Sequence, residues 1–98
     1  MRVRWLNAAL RNLDIEAEYI ARDNPEAAAR VIIAIQAAVE RLSNHPSMGR
    51  PGRVSGTREL VVSGTPYIIP YRVRGEEVQI LRVFHGARKW SRRFESEK

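Results

Sequence analysis

Ninety-eight residues, 44% hydrophobic and 29% charged, describe one globular domain of ordinary core size rather than a disordered or fibrous segment. Without cysteine the chain has no disulfides, thiolate metal sites or cysteine nucleophile, and no apolar run approaches the about 20 residues of a membrane span. Seventeen Lys and Arg against eleven Asp and Glu give a net charge of +6, which points toward anionic partners. The N-terminus, MRVRWLNAAL, lacks the apolar stretch and cleavage site of a signal peptide, so a cytoplasmic location is expected.

The elements follow from periodicity. Val3 and Trp5 alternate with Arg2 and Arg4, as in a short half-buried strand. Leu6, Leu10, Leu13, Ala17 and Ile20 recur at spacings of three and four, which predicts an amphipathic helix from about residue 7 to residue 22. In Asn24-Pro25-Glu26, Asn24 can cap free N–H groups, Pro25 suits a first turn, and Glu26 favours the positive helix end. The second helix should turn Ala28, Val31, Ile32, Ile35, Val39 and Leu42 inward and stop near Ser43 or Asn44, because Pro46 disfavours a helical His45. So short a link makes the two helices an antiparallel hairpin.

Residues 43–56, SNHPSMGRPGRVSG, read as a loop, of a length that is functional or mobile in most compact domains. Three strands are expected after it, at 58–62, 67–74 and 78–85. A two-residue Gly75-Glu76 turn would pair Val73 with Val78, Tyr71 with Ile80, Ile69 with Arg82 and Tyr67 with Phe84 on one face. Arg72 with Gln79, Pro70 with Leu81 and Ile68 with Val83 would share the other. The fold class is α+β: an N-terminal strand, an antiparallel helical hairpin, then a three-stranded antiparallel meander with the helices on one face. The second face would expose aliphatics mixed with arginines, as a partner-binding surface does, unless the chain ends or a second copy of the chain cover it.

Charge is unevenly placed. Residues 7–44 carry a mild acidic excess, whereas residues 45–75 hold Arg50, Arg53, Arg58, Arg72 and Arg74 against Glu59 alone. Arg88, Lys89, Arg92 and Arg93 follow with no acid among them. Fifteen of the seventeen cations are arginine, whose planar fork of donors suits phosphates and carboxylates.

No P-loop, dinucleotide fingerprint, zinc-protease helix or nucleophile elbow is present, and His45 and His85 make no metal-ligand spacing. The few acids of the basic half argue against a two-carboxylate hydrolase or a magnesium nuclease, so neither metal nor cofactor is expected. Metal-free RNA cleavage is the chemistry such residues could support: an imidazole near neutral pKa moves protons and arginines stabilise the phosphorane. Arg72, Arg82 and His85 are its candidates. A binding patch and the solvated end of a sheet remain the other readings of ILRVFHGARKW.

The element order, together with GRPGRVSGTRELVV, YIIPYRV and VQILRVFHGARKW, resembles the RelE/ParE superfamily of bacterial toxins from type II toxin–antitoxin modules. The resemblance spans about residues 2–90 and implies a single toxin domain over 1–98 with a short basic tail from about residue 91. It implies a cognate antitoxin that wraps the toxin in a hetero-oligomer, no membrane role, and one of two targets. RelE-like members cleave mRNA on the ribosome; ParE-like members poison DNA gyrase and are linked to plasmid stabilization. Tyr67 stands where some nuclease members place a catalytic arginine, Gly86 rather than tyrosine follows His85, and the loop before the meander has Arg50 and Arg53 instead of a lysine pair. The wording G-T-R-E-L-V-V and I-L-R-V-x-H-x-A-R is nearer to ParE. On that reading Arg58, Arg72, Arg82, His85, Arg88, Lys89 and Trp90 form a target-binding surface and none is catalytic. A nucleic-acid-binding module without toxicity is a third reading.

Overall fold

The structure, a computed structural model, describes residues 1–86. Strand β1 (Arg2–Trp5) leads into α1 (Asn7–Asp23) and α2 (Pro25–Glu40), which ends in a 3₁₀ turn (Arg41–Ser43). The strands β2 (Arg50–Pro51), β3 (Arg58–Val61), β4 (Tyr67–Arg74), β5 (Glu77–Ile80) and β6 (Phe84–His85) follow. The expected α+β order is therefore present, with the helical hairpin packed on one face of the sheet.

Asn24 alone links the helices. Its backbone N–H donates to the Ile20 carbonyl at 3.0 Å, closing α1, while its side-chain oxygen accepts from the Ala27 N–H at 3.0 Å, opening α2. Asn24→Ala is expected to cost about 1 kcal/mol by orphaning that N–H, and Asn24→Asp to cost far less. Thermal unfolding of the two variants checks this, and equal melting temperatures would refute the capping role.

The buried stripe of α2 is as its periodicity predicts: Ala28, Ile35, Val39 and Leu42 of the following turn are buried, and Val31 and Ile32 pack against the core. That of α1 is rotated. Ala9, Leu13 and Glu16 are buried and Ile20 packs beside them, whereas Leu10 is 44% exposed. A carboxylate sits in this apolar stripe because the Tyr67 hydroxyl donates to its Oε1 at 3.0 Å, so burial does not leave it unpartnered.

The sheet runs β1-β5-β4-β3-β2, with β6 also on β4. The meander is thus widened on both sides, by β1 lying parallel to β5 and by the short β2 inside what reads as loop. Gly75, at φ 63°, is followed by a residue of negative φ, the sign pattern of a type II′ hairpin, and it sets the pairs Val73↔Val78 and Tyr71↔Ile80 as expected.

Farther from the turn the expected register fails. The third meander strand is interrupted, and pairing resumes as Ile68↔Phe84 and Tyr67↔His85, one residue out of step with Tyr71↔Ile80. Arg82 and Val83 therefore both oppose Ile69 in a β-bulge, instead of Arg82 alone. The side chain of Asn12 on α1 accepts the Val83 N–H at 3.2 Å and satisfies the donor that the bulge leaves out of the ladder. Because strand side chains alternate, one extra residue moves His85 from the face of Arg72 to the face of Tyr67.

Candidate target-binding surface

The loop of residues 44–57 is tied down at three points. Tyr71, fully buried, accepts the Gly49 N–H and donates to the Pro46 carbonyl, both at 2.8 Å. Arg58 donates to the Gly49 carbonyl at 2.8 Å, which makes it a brace of this loop rather than a free cation. Glu59, only 3% exposed, accepts from Arg50 Nε and Nη2 at 3.2 and 3.0 Å and from the Arg53 N–H at 3.2 Å. These bonds hold the loop against the sheet. Arg50 and Arg53 remain about half exposed above a carboxylate that sets their position.

Arg72 lies on the face of the sheet away from the helices. Its Nε donates to Gln79 Oε1 at 2.7 Å, and Gln79 Nε2 donates to Glu77 Oε1 at 2.8 Å. Burial, and then the charges of Arg74 and Arg4, hold the Arg72 guanidinium below its ordinary pKa. Glu77 is held below the usual carboxylate range, first by the Gln79 hydrogen bond and then, against some desolvation, by Arg4 and Arg2 at 3.4 and 3.6 Å. This face is less open than an uncovered sheet would be: Pro70, Gln79 and Glu59 are buried, and Ile68, Leu81 and Phe84 are half-buried.

Arg82 sits in the bulge, half-buried, with Nη1 on the Leu81 carbonyl at 2.7 Å; desolvation and the nearby charge of Arg11 lower its pKa. The His85 ring meets Tyr67 edge-on, centroids 5.5 Å apart, beside the Tyr67–Glu16 hydrogen bond. Arg58, Arg72, Arg82 and His85 are therefore not gathered at one point. Arg72 stands five residues along β4 from the Tyr67↔His85 pair, about 17 Å of strand, and on the opposite face. Arg88, Lys89, Trp90 and the tail lie outside the described residues.

Glu16, Tyr67 and Tyr71 were legible in the sequence only as core or surface types. Glu59 carried a faint signal, as a lone acid in an otherwise basic stretch. Among the described residues no three acidic or histidine side chains cluster as metal ligands, and no helix is long and apolar enough to cross a membrane.

Residues 3–90 match the family model described as ParE toxin of type II toxin-antitoxin system, parDE. The chain belongs to this ParE toxin family. Y4kP of Sinorhizobium fredii is 51% identical over 91% of this chain and 92% of its own length. Toxin RelE2 of Caulobacter vibrioides is 37% identical over 88% of this chain and 96% of its own. A solved chain of the chromosomal ParDE TA system from P. aeruginosa is 33% identical and superposes with a TM-score of 0.78, covering 87% of this chain and 95% of that one. In this ParE-family toxin the braced GRPGR loop and the outer face of the sheet both present arginines.

Proposed function

We propose that this toxin acts in the cytoplasm by poisoning DNA gyrase and is neutralised by a cognate antitoxin in a toxin–antitoxin hetero-oligomer. The observation that carries the choice of target is the separation of Arg72 from His85. Cleavage of a phosphodiester needs a proton-transfer group and a charge-stabilising group within hydrogen-bond reach of the same few atoms. An arginine and a histidine about 17 Å apart along a strand, on opposite faces, do not meet that requirement. A binding role asks only that each cation reach a partner, which favours a surface over a catalytic centre. The likeness to a chain of a ParDE system supports the antitoxin as partner.

Ribosome-dependent, metal-independent mRNA cleavage is the second reading. It is favoured by the contact of His85 with Tyr67, whose hydroxyl reaches Glu16, because these are acid–base side chains at one strand end. The likeness to Toxin RelE2 leans the same way.

The test is a cleavage assay with supercoiled plasmid, ATP and purified gyrase, ended by detergent and protease. Linear DNA that appears only when toxin and gyrase are both present is the expected result. Intact supercoiling with no linear product, from a preparation that still arrests growth, would overturn the gyrase assignment and direct attention to the ribosome.

A further inference from the structure

The outer face carries an arrangement that neither the loop nor the candidate nuclease residues account for. The register places Arg2, Glu77 and Arg74 in one row across β1, β5 and β4, and Arg4, Gln79 and Arg72 in the next. Directly paired residues share a face, so four arginines form the corners of a grid with Glu77 and Gln79 between them. Its corners are about 6.8 Å apart along each strand and about 9.6 Å apart across two strand spacings. One carboxylate is shared by Arg2 and Arg4; Arg74 makes no ion pair among the described residues and is exposed. Arg2, Arg74, Glu76, Glu77 and Gln79, with Met1, line an open hollow of about 790 Å³.

Four like charges held this close repel one another; burial is the larger cause of the lowered Arg72 pKa, and the charges of Arg74 and Arg4 add to it. With Glu77 between the four arginines and Glu76 at the turn beside them, the surface keeps a net positive charge and is complementary to an ordered polyanion. We infer that the grid of Arg2, Arg4, Arg72 and Arg74 binds the phosphodiester backbone of duplex DNA without reading its sequence. Two columns of cations suit the two phosphate rows that flank a groove. A single strand offers one row and is bound largely by stacking on aromatic side chains, of which the grid has none. Contacts to phosphates position a protein without carrying sequence information, so discrimination among sequences is not expected. The inference deepens the gyrase reading, whose target works on DNA, but it concerns the toxin alone and stands or falls without gyrase.

The experiment measures binding of the full-length toxin to a labelled 20-base-pair duplex by fluorescence anisotropy over a range of salt. Three proteins are compared: wild type, Arg4→Gln/Arg74→Gln, and Arg30→Gln/Arg41→Gln. The last removes the same charge from exposed positions on and just after α2. Circular dichroism and melting temperature establish that all three are folded. The grid variant should bind more weakly, and its slope of log affinity against log salt should be shallower by about 0.9 for each arginine lost, near 2 for the pair. The helix variant should keep most of the wild-type slope. Equal losses in both variants would reduce the effect to net charge and overturn the inference, as would absence of duplex binding by wild type at low salt. Polyglutamate that competes as well as duplex DNA would also overturn it, by assigning the grid to an acidic protein surface. Failure here with gyrase poisoning intact would leave the target assignment standing; success with no poisoning would remove the target and keep the site.

Discussion

Gly49→Ala is expected to destabilise the fold by about 3 kcal/mol, lowering the melting temperature by roughly 15 °C in a domain of this size. Gly49 does not adopt positive φ, so backbone strain is not the reason. A Cβ at this position would lie 2.6 Å from Cε1 of Tyr71 and 2.9 Å from the backbone carbonyl of Glu59, inside any real contact distance. Tyr71 is fully buried and the carbonyl belongs to β3, so neither neighbour can yield cheaply. The loop must lift, and in lifting it loses the bonds from Gly49 to Tyr71 and from Arg58 to Gly49. Gly56→Ala is the control: φ is 81° there but a Cβ would meet nothing within 4 Å, so only the left-handed backbone is penalised, by about 1 kcal/mol. Urea unfolding of both variants tests the account, which fails if the Gly56 change costs more.

Tyr71→Phe should cost about 2–3 kcal/mol although it removes a single oxygen. The hydroxyl is both acceptor for Gly49 N–H and donor to the Pro46 carbonyl, and phenylalanine leaves both partners without it in a site that admits little water. The pH dependence carries a sign. Burial raises the Tyr71 pKa above the ordinary tyrosine value, with the Gly49 hydrogen bond and the Arg58 charge acting against it. The folded state therefore holds the phenol proton more tightly than the unfolded chain. That contribution is complete below a pH of about 10 and is lost as pH rises through the folded value. Wild type should accordingly lose more stability than Tyr71→Phe between neutral and strongly alkaline pH, in parallel denaturant titrations. Parallel curves would mean that the hydroxyl is not held as described. Gly49 and Tyr71 touch, so the double variant should lose less than the sum of the two.

Features that depend on neighbours along the chain could be read from residue order alone. The helical hairpin was legible because Asn24-Pro25-Glu26 carries a cap and a start within three residues, and because the α2 stripe recurs at helical spacing. The register next to Gly75-Glu76 was legible because the turn imposes it. The family was legible too, since GRPGRVSGTRELVV and ILRVFH are contiguous words. Other features depend on residues far apart in the chain. Leu10 yielded its place in the α1 stripe to Glu16 because a hydroxyl 51 residues away takes up that carboxylate. The bulge at Arg82 and Val83 has no local mark, no glycine or proline, because its stabilising acceptor is Asn12, 71 residues earlier. That bulge turns His85 away from Arg72 and separates side chains that residue types alone would have grouped. The arginine grid has the same origin. Arg2 and Arg4 join Arg72 and Arg74 only because β1 lies parallel to β5, a pairing of distant segments that strand alternation does not foretell. Local geometry is written in short-range sterics and hydrogen bonds; a site assembled across strands is set by which edges the folded sheet brings together.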